Sequence, residues 1–155
     1  MPSTESNDQQ AAHRRFAVQC FNQTWSLLEQ PVETPADRTR LLSCAMTSLW
    51  HWTQRDDVTS RHLSVGCWQV SRVLAVLNEG ALARHFAMES LQHSQAEEPF
   101  YQAYAHEALA RAASVLGDHA EAARCLNEAT RLAESVADPS NRQPLLDDLQ
   151  TIVLP

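Results

Sequence analysis

The chain has 155 residues, 44% of them hydrophobic, only three glycines and a formal net charge of −7 at pH 7. This is enough for one domain with its own core, and the acidic balance excludes general nucleic-acid binding, which needs a basic surface that displaces counterions from phosphates. No apolar run approaches a bilayer span, and MPSTESNDQQ lacks both the basic patch and the apolar core of a signal peptide, so an all-α, cytoplasmic protein with no membrane association is expected.

Residues 1–10 are polar and aperiodic and read as a disordered tail ahead of a single domain over 11–155. A first helix is predicted from about Ala11 to Gln30, with Phe16, Cys20, Phe21, Trp25 and Leu28 on one face. Pro31 to Pro35 stop it. The Thr34-Pro35 pair then starts a second helix, about Ala36 to Gln54, striped by Leu42, Ala45, Met46, Leu49 and Trp52 and closed by Asp56-Asp57. Further helices are predicted over Val65 to Leu77, Ala81 to His93, Phe100 to Leu116 and Ala120 to Val136, and a short amphipathic one over about 143–153. The breaks Asn78-Glu79-Gly80 and Gly117-Asp118 carry glycine, the residue that most cheaply takes the left-handed backbone of a helix stop.

Shifted by 39 places, Cys67 to Ser90 falls on His106 to Ala129: Val70 on Leu109, Ser71 on Ala110, Arg72 on Arg111, Ala83 on Ala122 and Glu89 on Glu128. Such a self-match means one helix pair used twice. Ser71 and Ala110 on the first helices, with Ala83 and Ala122 on the second, leave room for close helix approach. The order of these small residues, and the closing Pro99 and Pro139, resembles the tetratricopeptide repeat, although the period is longer and the family's bulky aromatic residues are missing. The strings NQTWSLLEQ, GCWQVSRVLAVL and YAHEALARA are similar to small bacterial tetratricopeptide-like proteins. The resemblance implies a short right-handed α-α superhelix of about three helix pairs, over about 11–54, 58–93 and 97–138, plus a capping helix at about 143–153 that covers the last apolar face.

It also implies that the first helix of each pair lines a concave groove, whose candidate lining is Trp68, Arg72, Tyr104, Glu107 and Arg111, with Gln69, Ala75 and Ser114 beside them. Trp68 and Arg72 are four residues apart, as are Glu107 and Arg111, so each pair shares a helix face. Two guanidiniums at matching points would clamp a carboxylate or phosphate, with the rings as flat contact surfaces. The plainer alternative is a local Glu107–Arg111 surface pair of about 0.3–0.5 kcal/mol and an Arg72–Trp68 stack.

A second candidate pocket is built from His51 and Trp52, with Trp50 and Trp68, beside Arg72. His85, Glu89 and His93 share one face, but that stripe reads as a solvated row and no metal site is expected. Four separated cysteines without a C-x-x-C pair read as buried reduced thiols. With no catalytic motif and no cofactor signature, the leading expectation is a non-catalytic scaffold that takes a partner peptide or acidic segment in the groove. The alternatives are a homodimer formed through the Trp50 surface or the first helix, and a small-molecule pocket or enzyme using His51, Glu107 and Arg72.

Overall fold

The computed structural model describes residues 4–154, which form seven α-helices and no strand. They are α1 (Thr4–Leu28), α2 (Pro35–Thr53), α3 (Ser60–Val76), α4 (Gly80–Ser94), α5 (Pro99–Val115), α6 (His119–Glu134) and α7 (Pro139–Gln150). None of them is long and apolar enough to cross a membrane.

Consecutive helices pack as antiparallel hairpins, α1 on α2, α3 on α4 and α5 on α6. Two hydroxyl bonds fix the α3/α4 register: Ser71 Oγ donates to the Ala83 carbonyl at 2.8 Å, and Ser90 Oγ to the Ser64 carbonyl at 2.9 Å. Ser71, Ala83, Ala110 and Ala122 are all at or below 1% exposure, so the small residues of the self-match do sit in the helix contacts. Contacts also join α1 to α3, α3 to α5 and α5 to α7, whereas among the described residues no two even-numbered helices touch. One layer, the odd-numbered helices, is therefore the crowded one, and its outer face carries the site described below.

The turns of the last two hairpins share one set of backbone bonds 39 residues apart: Leu77 to Val73 and Leu116 to Ala112, Glu79 to Leu74 and Asp118 to Ala113. The left-handed residue is Asn78 (φ 61°) in the first turn and Gly117 (φ 75°) in the second. Gly80 is not the helix stop. It opens α4, and a Cβ there would lie 2.9 Å from Leu116 Cγ, so its lack of a side chain serves packing.

Three boundaries differ from the sequence expectation. Helix α1 begins at Thr4, so residues 4–10 are helical and only 1–3 of the expected tail lie outside the described residues. One of these polar residues is tied to the α2–α3 loop: Gln10 receives bonds from Arg55 Nη1 on its carbonyl (2.7 Å) and the Asp56 amide on its side chain (3.1 Å). Helix α3 starts five residues early because Thr59 and His62 form a reciprocal cap across the polar Ser60–Ser64 stretch. Helix α7 starts at Pro139, capped by Asp138, and continues through Pro144, whose missing N–H leaves only the carbonyl of exposed Ser140 to water.

Candidate functional site

Spacing alone puts Trp68 and Arg72 on one face of α3, and Tyr104, Glu107 and Arg111 on one face of α5. The fold turns these faces toward each other. At their centre is the Glu107 carboxylate, with no exposed surface, which accepts from Trp68 Nε1 at 2.8 Å, from Arg72 Nη1 at 2.7 Å and from Arg111 Nε. Helix α7 closes the far side: Arg111 Nη2 donates to the Asp148 carbonyl (2.9 Å) and to Thr151 Oγ1 (2.6 Å), and Tyr104 donates its hydroxyl proton to Asp148 Oδ2 at 3.3 Å. Arg72 Nη2 lies 3.8 Å from Asp148 Oδ1. Burial first, then the Asp148 and Glu107 carboxylates, push the Tyr104 hydroxyl well above its ordinary pKa, so it remains a donor at neutral pH.

The five expected groove residues thus converge, with two differences in role. Glu107 and Arg111 do not form a surface pair, and Arg72 turns to Glu107 and is not stacked on Trp68. The position a ligand carboxylate was expected to take between the two arginines is filled by Glu107 itself. Gln69, expected to line the groove, is 1% exposed and donates to the Phe21 carbonyl at 3.0 Å.

Beside this network runs an apolar cleft made of two adjoining cavities of about 350 and 250 Å3, which share Phe21, Val65 and Tyr101. The larger adds Trp25, Trp68, Phe100 and Tyr104, and Asp148 is its one charged lining residue. The rings form a continuous row, with centroids 5.3 Å apart for Trp25–Trp68, 4.7 Å for Trp68–Tyr104 and 5.1 Å for Tyr104–Phe100. The smaller is bounded by Val18, Trp52, Arg61 and His62. Its rings already hold cations of the chain: Arg61 lies 4.6 Å from the Tyr101 centroid, paired with Glu97 and Glu98, and Arg55 lies 5.9 Å from that of Trp52.

The expected pocket of His51, Trp52 and Trp68 does not assemble as one unit. His51 faces α1, with its Nδ1 2.9 Å from that of His13 and its ring against Phe16. No contact among the described residues joins it to Glu107 or Arg72, because the α1/α2 register turns it away from α3. The proton-transfer set of His51, Glu107 and Arg72 is therefore not brought together. Trp52 stacks on His62 at 4.1 Å and walls the smaller cavity, whereas Trp50 is 54% exposed and lines neither. Among the described residues no group of three His, Cys, Asp or Glu side chains is placed to hold a metal ion, and all four cysteines are free thiols.

Several lining residues escaped the sequence reading. Phe21 and Trp25 have the spacing of a core stripe, and nothing in their pattern separates a stripe buried against α2 from one that also borders a cleft. Asp148 carries no signal at all, because its place depends on where α7 docks. No protein family, curated protein or solved structure matches the chain.

Proposed function

We propose that this chain is a non-catalytic binding protein with a tetratricopeptide-like architecture, a short right-handed superhelix whose odd-numbered helices form the concave face. The turn repeated at 39 residues, and next-but-one helix contacts that join only odd-numbered helices among the described residues, support the architecture. The observation that carries the function is the row of half-buried aromatic rings bordering two connected cavities on that face. Such a cleft takes the apolar part of a partner segment, while a few polar groups fix its position. Clamping of an acidic segment by Arg72 and Arg111 is the weaker form of this reading, since both guanidiniums are engaged by Glu107 and α7. Four free thiols and an acidic surface fit a protein of the reducing cytoplasm.

The test is capture of partners by the wild-type chain and by Val65→Arg, which puts a long cationic side chain into the wall shared by both cavities. Loss of capture at an unchanged melting temperature supports the groove. Retention of every partner removes it. A second reading, homodimerisation, rests on Trp50 and Phe16, 54% and 40% exposed on the α1/α2 hairpin. A monomer mass by light scattering across a hundredfold range of concentration would exclude it.

A further inference from the structure

We propose that the partner segment enters the larger cavity with an ammonium head group, a lysine side chain or its methylated forms, held against the aromatic row with Asp148 as counter-ion. This rests on the binding reading above and adds the sign of the ligand's charge.

An anion entering this cavity finds its principal donors already used. Trp68 Nε1 is bonded to Glu107 and the Tyr104 hydroxyl to Asp148. The Ser64 and Ser90 hydroxyls donate across the hairpin, each to the other's carbonyl, at 3.1 and 2.9 Å. Of the lining donors that leaves the Tyr101 hydroxyl, and the Asp148 carboxylate repels an anion.

A cation meets the opposite situation. Ring faces carry the negative part of the aromatic quadrupole and attract ammonium groups within about 6 Å. The Asp148 side chain is 36% exposed, so a ligand can reach its carboxylate. Arg72 stands behind Asp148 at 3.8 Å and shares Glu107 with Arg111, so Asp148 and Glu107 together balance the two guanidiniums, and of these four groups only Asp148 lines the cavity. Around the larger cavity Glu107 and Asp148 balance Arg72 and Arg111, and the excess of acid along the groove comes from Glu97 and Glu98, which share Arg61 beside the smaller cavity. The rim repeats the chemistry with the chain's own groups, in the Arg61–Tyr101 and Arg55–Trp52 contacts.

The experiment uses three probes of one shape: choline, its uncharged isostere 3,3-dimethylbutan-1-ol, and the anion 3,3-dimethylbutanoate. Each is titrated into the full chain at constant ionic strength and followed by tryptophan fluorescence. The expected result is choline binding about tenfold or more tighter than the alcohol, with no saturation by the anion. Asp148→Asn, with its melting temperature checked, should bring choline to within about threefold of the alcohol, while Asp147→Asn on the adjacent exposed position leaves the preference intact. Equal or tighter binding of the alcohol overturns the ammonium assignment and leaves an apolar groove standing. Preference for the anion overturns it in favour of the arginine clamp. If no probe perturbs the tryptophans, the groove reading fails together with it.

Discussion

Replacing Glu107 with glutamine keeps the shape of the buried side chain and removes its charge. In the native chain this carboxylate accepts from two guanidiniums and an indole at 0% exposure, and the arginine side chains are only 18% and 14% exposed. A hydrogen bond to a charged group contributes about 1.5–3 kcal/mol, and breaking a buried pair from one side typically costs about 3–5 kcal/mol. Arg111 keeps its bonds to the Asp148 carbonyl and Thr151, which places the expected loss at the lower end, about 3 kcal/mol. For a chain of this length that corresponds to a fall in melting temperature of about 6–12 °C. Urea and thermal denaturation followed by far-ultraviolet circular dichroism measure it, with Glu128→Gln in the exposed Glu128–Arg131 pair as a control that should not move. A loss below about 1 kcal/mol for Glu107→Gln would refute the view that this carboxylate organises the α3–α5–α7 junction.

Burial holds the His51, His62 and His106 pKa values below 6.5, so the unfolded chain binds protons more readily. Their contribution to stability is present above pH 6.5 and is lost as pH falls from there toward the folded pKa values; denaturation midpoints at pH 7.5 and 5.5 should show the decline, and a flat profile would contradict it. The Cys67 thiol is pushed up to about 12 by burial and that of Cys125 to about 11, so iodoacetamide at pH 8 should leave both unmodified in the native chain and label them in urea, as read by mass spectrometry. Gly117→Ala forces a β-carbon onto a backbone at φ 75° and should destabilise by about 1 kcal/mol, despite having open space around it; a neutral result would mean the turn relaxes to another conformation.

The helices were legible because their apolar stripes and terminators are local properties. The self-match at 39 places located both turns, yet it could not tell that Asn78 takes the left-handed position while Gly80 is set by contact with Leu116. Boundaries were missed where polar residues owe their helical state to distant partners, as Gln10 does to Arg55 and Asp56. The helical period put Trp68 with Arg72 and Glu107 with Arg111 on shared faces, but not their roles, because whether a carboxylate at position 107 reaches solvent or two arginines depends on the α3–α5 distance. His51 shows the converse: its composition-based company of tryptophans says nothing about which neighbour it faces.

Helix α7 contributes Asp148 to the larger cavity, yet it is held in place by Leu145, Leu149 and Ile152, which border neither cavity and belong to the core against α5 and α6. On the proposed reading, occupancy of the cleft by a ligand of Asp148 and docking of this helix are thermodynamically linked. Whatever fraction of molecules has α7 undocked lowers the apparent affinity for a ligand of Asp148 in the same proportion, and a bound ligand in turn draws the helix down. Truncating Leu145 or Leu149 would then act as a remote dial on affinity without altering any atom that the ligand touches.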